Sequence, residues 1–305
     1  MSADTRTVRL ENRKNKMNII EDVKLFFFVI KNVRSEKMNR AMIGYSIKEH
    51  LGKVTFKDIL LFAEATGDKN TEYYKKTEIA PPFFLSKLIM PPIKKLLMHK
   101  DLKLNFLRLV HSGQEITWHS EIRVGDKLTN ELTITDIKDI SSGELLTISA
   151  NIERNNEKII EGIINIIIKG RKGKKEKSPD MDNKKKEKLR LVITTKDGQQ
   201  IKYANISGDN NFIHRSNIIA KLAGLSRTIM HGACVMAMSC NTLMYLIKND
   251  VKRLKSMSVQ FGYPAIPGEI LDLVMYAGKN KKEIAFSVLN QKRKKILKNC
   301  VLKFK

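Results

Sequence analysis

Apolar residues along this chain fall into two recurring rhythms, one helical and one alternating. Between Phe56 and Ala65 they sit at Phe56, Ile59, Leu60 and Ala63, the spacing of one helix face. A Pro-interrupted apolar segment follows from Ala80 to Leu97. Three stretches then alternate apolar with polar: Gly113 to Ile122, Leu128 to Ile137 and Leu145 to Arg154. The isoleucine-rich run from Ile159 to Ile168 reads as a buried strand. After residue 190 the order returns. Leu191 to Tyr203 leads into a Ser-Gly-Asp loop, and Ala220 to Gly224 predicts a short helix ended by its glycine. From Ala233 to Ile247 the pattern is a helix apolar on nearly every side, which predicts burial. Strands at Ile270 to Tyr276, Glu283 to Leu289 and Ile296 to Phe304 finish the chain. A buried helix and an antiparallel meander able to wrap it make an α+β arrangement.

The two halves also share short motifs. Thr66-Gly67-Asp68-Lys69-Asn70-Thr71-Glu72-Tyr73 parallels Ser207-Gly208-Asp209-Asn210-Asn211-Phe212-Ile213-His214. Ile89-Met90-Pro91-Pro92 aligns with Ile229-Met230-His231-Gly232, and Arg123-Val124-Gly125-Asp126-Lys127-Leu128 with Ala265-Ile266-Pro267-Gly268-Glu269-Ile270. Matches in register predict a duplicated fold. Only the second copy keeps both an acid and an imidazole, since Tyr73 stands where His214 does.

Composition narrows the setting. The chain has 305 residues, 42% of them hydrophobic, enough for two domains with their own cores. Its apolar runs fall short of a membrane helix, and Leu25 to Ile30 is too short for a signal-peptide core. Cys234, Cys240 and Cys300 form no metal-binding spacing and no disulfide framework, which suits a reducing cytoplasm. A net charge of +25 raises the question of nucleic acid. The lysines are spread over both halves, however. Their densest cluster, Lys169 to Arg190, holds no aromatic residue for stacking bases and reads as a solvated linker. No nucleic-acid partner is expected, and the basic surface suits a phosphorylated small ligand.

The stretch from Tyr203 to His214, with Ala220, Gly224, Ile229, His231 and Gly232, resembles the hydratase-2 motif of the MaoC-like dehydratases. Pro264 to Leu271 is similar to the start of a strand in that family, and Ala80-Pro81-Pro82-Phe83 resembles the amino-terminal repeat of its two-repeat members. The resemblance implies a double hotdog, each repeat an antiparallel sheet wrapped around a central helix. It implies reversible hydration of trans-2-enoyl thioesters of coenzyme A or acyl carrier protein to (3R)-hydroxyacyl thioesters. The domains are then a basic extension over 1–40, weakly patterned and open to disorder; a degenerate acyl-binding repeat over 41–169; a basic linker over 170–190; and a catalytic repeat over 191–305.

By the same resemblance Asp209 and His214 share one water, and the Gly232 amide stabilises the thioester oxyanion. Addition of water needs a group to take a proton and one to supply it, which a carboxylate and an imidazole can do. Asn211, Ser207, Gly208 and His231 support the site, His231 by bracing the helix start. Two departures from the family pattern are Phe212 in place of a proline and Ser216 in place of an acid. In the first repeat Pro92 is expected opposite Gly232 and, having no N–H, offers no oxyanion donor. Pro91 and Pro92 are further expected to break the first central helix and open space for the acyl tail, with Phe83, Phe84 and Tyr73 along it. No metal and no cofactor beyond the substrate's own CoA or phosphopantetheine is implied, and a monomer or homodimer is expected. The alternatives are a hotdog acyl-thioesterase and a non-catalytic acyl-thioester-binding protein.

Overall fold

The structure, a computed structural model, describes residues 37–170, 180–247, 250–277 and 282–305. The first half comprises β1 (Ser46–His50), α1 (Phe56–Ala65), α2 (Thr71–Thr77), α3 (Leu85–Leu97), β2 (Leu109–Trp118), β3 (Thr129–Ile140), β4 (Gly143–Arg154) and β5 (Glu157–Lys169). The second comprises β6 (Glu187–Thr194), α4 (Gln199–Ser207), α5 (Asn217–Leu222), α6 (Gly232–Met244), β7 (Leu254–Phe261), β8 (Ile270–Tyr276), β9 (Glu283–Leu289) and β10 (Lys295–Phe304).

All ten strands join in one sheet, ordered β1-β3-β4-β5-β2-β7-β10-β9-β8-β6. Each half therefore follows the same order, read inward from its own edge, and the halves meet where β2 pairs antiparallel with β7. This is the double hotdog. Alternation sets the inner face: Ile160, Ile164, Ile166 and Ile168 of β5 are buried while their neighbours are less so. Against that face lie the two central helices. α6 buries nearly every residue from Cys234 to Met244, and α3 buries Leu85, Leu88, Ile89, Ile93, Leu96 and Leu97.

The expected break at Pro91 and Pro92 does not occur, because α3 runs through both. Pro92 cannot donate to the carbonyl one turn back, that of Leu88. The side chain of buried Asn130 on β3 supplies the missing donor, with Nδ2 3.2 Å from Leu88 O. Tertiary satisfaction of the freed carbonyl thus overrides the local rule. The first repeat keeps its central helix, and Phe83 and Phe84 are fully buried core rather than walls of an opened channel. Phe83 packs edge-on to Trp118 and Phe84 edge-on to Phe62.

Both repeat boundaries lie earlier than expected. The Met38 amide donates to Glu144 Oε2 at 2.9 Å, and Arg40 pairs with Asp139, so residues 37–40 dock on the first repeat. β6 begins at Glu187, inside the expected linker. Before it, Asp182 Oδ2 accepts from Ser287 Oγ and from the Asn299 amide, both at 2.6 Å. Residues 1–36 and 171–179, where the rest of the extension and linker were placed, lie outside the described residues. All three cysteines are free and buried. No described helix is long and apolar enough to cross a membrane.

Candidate active site

α4 ends at Ser207, and Gly208 at φ +82° turns the chain in the left-handed region that glycine enters without strain. The following loop is tied by its own short side chains. Ser207 Oγ accepts from the Asp209 amide at 3.2 Å, Asp209 Oδ1 from the Asn211 amide at 3.3 Å, and Asn211 Oδ1 from the Ile213 amide at 3.3 Å. Asn211 therefore caps the single turn Phe212–His214 that carries the histidine. Ser216 opens α5 by accepting from the Ile219 amide, a use for the residue that replaces the family's acid.

His214 is buried, and its Nδ1 lies 2.9 Å from the Ile229 carbonyl. A carbonyl only accepts, so Nδ1 carries the proton and Nε2 is left with a lone pair. His231 Nε2 lies 3.0 Å from the Asp209 carbonyl oxygen by the same logic, and 4.0 Å from its carboxylate. The two imidazoles stack, with centroids 3.6 Å apart and planes 24° from parallel. His231 thus braces both the Asp209 loop and the start of α6. Burial lowers the His214 imidazole below its ordinary range and the His231 imidazole to about 3, so both are neutral. Burial would raise the Asp209 carboxyl. In the acid range where that carboxyl would titrate, however, the adjacent imidazoles carry protons, and with the Asn211 amide they outweigh burial, so Asp209 stays below its usual range and is ionised at pH 7.

Gly232 is the first residue of α6, where the amide has no intrahelical acceptor and the helix dipole is positive. The Phe261 ring occupies the place a side chain would take: a Cβ on Gly232 would lie 2.8 Å from it. The structure thus brings together Asp209, His214, His231, Ser207, Gly208, Asn211 and Gly232, and leaves Phe83 and Phe84 in the core. Carboxylate and imidazole ligand atoms of Asp209, His214 and His231 all lie within 4.8 Å of one another, a donor set a divalent cation could use. Each ring, however, already spends one nitrogen on a main-chain carbonyl, His214 Nδ1 on that of Ile229 and His231 Nε2 on that of Asp209.

The counterpart of Gly232 is a different proline from the one expected. Ala80 donates to the Ile122 carbonyl and Met230 to the Ala265 carbonyl, both at 2.8 Å. That shared bond places Pro81 and Pro82 opposite His231 and Gly232, so the proline that stands at the oxyanion-donor position is Pro82, not Pro92. The Asp68 loop is closed as well. Tyr74 donates to Asp68, and together with Asn70, Asn241, Met244 and Val251 they leave a space of only about 10 Å³.

One residue near the site lies outside every motif. His111 on β2, from the first repeat, reaches it across the β2–β7 seam, its ring 4.4 Å from that of Phe261. His111 and Asp209 each shift the other's proton affinity. A lone histidine in a strand gives no sequence signal of such a position.

Two family models match in tandem: the FAS1-like dehydratase domain region over residues 41–161, and the MaoC like domain over residues 180–299. The chain belongs to the MaoC-like dehydratase family. This family is one of hydro-lyases. The MaoC-like chain is 24% identical over 263 residues to a probable enoyl-CoA hydratase 2 of Dictyostelium discoideum, covering 78% of this chain and 86% of that one. It is 26% identical over 193 residues to the peroxisomal multifunctional enzyme type 2 of Mus musculus. That match takes in 59% of this chain and spans only 25% of the mouse protein. A MaoC-like dehydratase from Phytophthora capsici superposes with a TM-score of 0.75 at 21% identity, covering 88% of this chain and 98% of that one.

Proposed function

We propose that this MaoC-like protein reversibly hydrates trans-2-enoyl thioesters of coenzyme A or acyl carrier protein to (3R)-hydroxyacyl thioesters, using Asp209, His214 and Gly232. One observation carries this reading. A carboxylate oxygen of ionised Asp209 and a ring nitrogen of neutral His214 lie within 4.8 Å, and the amide that opens α6 follows directly on His231, whose ring stacks on that of His214. A water hydrogen-bonded to two groups at about 2.8 Å each spans about 4.6 Å between them. The separation suits a single shared water.

In hydration that water's oxygen bonds to C3 while the dyad accepts one of its protons and then passes that proton to C2. Charge from the double bond moves to the thioester oxygen, which the Gly232 amide holds as it becomes an enolate. Dehydration is the same path reversed. Neutral His214 and ionised Asp209 are both ready to accept a proton at pH 7. The overall positive charge suits CoA phosphates or an acidic carrier protein. Three free, buried thiols suit a reducing compartment such as the cytoplasm.

Incubation with crotonyl-CoA and with a long-chain trans-2-enoyl-CoA tests the reading. Hydration removes the conjugated-enoyl absorbance without releasing free thiol. Thiol release would mark a thioesterase, and binding without either change would mark a non-catalytic acyl-thioester-binding protein.

A further inference from the structure

His111 belongs to the half that has lost its own acid/base pair, yet it is turned toward the half that keeps one. β2 pairs in unbroken register from Gly113 to Trp118, but between His111 and Gly113 it shifts by one residue against β5. Ser112 is the extra residue, its hydroxyl donating to Asn165 O at 3.0 Å. A bulge of this kind re-aims the side chain beside it. Without it, alternation from buried Gln114, Ile116 and Trp118 would send residue 111 to the outer face. With it, His111 stands opposite buried Ile166, on the inner face against the helices.

There it meets the ring of Phe261, the same ring that excludes a side chain from Gly232. Gly113 brings the seam close, since a Cβ there would lie 3.2 Å from Val259 O. Its buried Nε2 has no partner among the described residues, and the Gly113 backbone beside the ring favours a proton on the other nitrogen. Packing against Phe261 alone would be served better by an apolar ring, because a buried lone pair without a partner is a cost. With its proton on the Gly113 side, the neutral ring offers Nε2 as an acceptor only, so it cannot be a second oxyanion donor.

We propose that His111 is a further residue of the Asp209 site, its Nε2 accepting a hydrogen bond from the oxygen that enters as water and leaves as the 3-hydroxyl. This rests on the hydratase reading above. The first repeat would then contribute to the chemistry, by holding the nucleophile with a side chain of its own.

The test compares wild type, His111→Phe and His111→Gln with crotonyl-CoA and a long-chain enoyl-CoA, alongside thermal melts. Phenylalanine keeps the ring and removes the acceptor; glutamine restores an acceptor. His111→Phe is expected to lower kcat/KM by about tenfold or more, the scale of one lost hydrogen bond, with its melting temperature unchanged or raised. His111→Gln should recover part of the loss. In the ¹⁵N-labelled wild type, saturating (3R)-hydroxybutyryl-CoA should shift the resonance of the unprotonated His111 nitrogen, a readout independent of how any variant folds. An active wild type whose His111 resonance does not move, or a folded His111→Phe with unchanged kcat and KM, overturns the proposal. A wild type that hydrates neither thioester overturns the hydratase reading itself.

Discussion

The hydroxyl of Tyr74 donates to the carboxylate of Asp68, the residue matching Asp209 in the first repeat. That bond turns a catalytic position into a structural one, since the Asp68 side chain is occupied and burial raises its pKa. Asp68→Asn should therefore leave turnover nearly intact, the amide oxygen still accepting from Tyr74. Asp68→Ala should lower stability by roughly 1–3 kcal/mol, the usual cost of leaving a buried hydroxyl unpaired. Denaturant melts and enoyl-CoA assays on both variants check this.

At the Asp209 site the opposite pattern is expected. Asp209→Asn and His214→Gln should each abolish turnover while the protein stays folded. Full activity in either variant would remove that residue from the mechanism.

Gly232→Ala puts a methyl group into the Phe261 ring. It should lower kcat by about a hundredfold to a thousandfold, as loss of an oxyanion donor does, and lower the melting temperature too. Adding Phe261→Leu should restore much of the stability but not the rate, because the amide remains displaced. Parallel recovery of both would place the Gly232 effect in packing alone.

Three histidines packed around the site, His214 and His231 buried and His111 half-buried, make stability depend on pH with a definite sign. Burial lowers His111 to about 4 and His231 to about 3, and lowers His214 as well. In the unfolded chain each titrates near 6.5. Below that value the unfolded state binds protons that the fold excludes, so stability is full above about pH 6.5 and falls as the pH drops toward 4. Thermal melts across that range should show the decline, with a shallower slope in His111→Phe. A flat profile would mean that these rings are not held neutral.

The Asn130–Leu88 bond predicts a coupled pair. Asn130→Leu should destabilise by roughly 1–3 kcal/mol by orphaning the Leu88 carbonyl. Pro92→Ala restores the amide one turn along and should rescue most of that loss. Additive effects in a double-mutant cycle would refute the account of why α3 tolerates its prolines.

Much of this was readable from the chain because it is local. α1, β8 and β9 fall on the expected residues, where periodicity is strong. β1 and α2 escaped because Ser46–His50 and Thr71–Thr77 are short and mostly polar, and β7 because Leu254–Phe261 mixes lysine and serine into its alternation. The Asp209–His214 loop was visible because one tight turn holds it. The counterpart of Gly232 was misplaced because the Ile-Met pair before Pro91 matched Ile229-Met230 by identity, whereas backbone pairing selects Pro82. His111 could not be seen at all, since pairing between strands far apart in sequence delivers it.

The seam between β2 and β7 has a consequence for any attempt to isolate one repeat. Severed from its partner, either half would present a bare row of main-chain donors and acceptors beside an apolar inner face, an open template for another copy. Each fragment would self-associate through that edge, and two carboxy-terminal fragments joined this way would set β7 against β7. The enzyme so rebuilt would be symmetric, with Ser256 to Gln260 where the intact chain has the strand that brings His111.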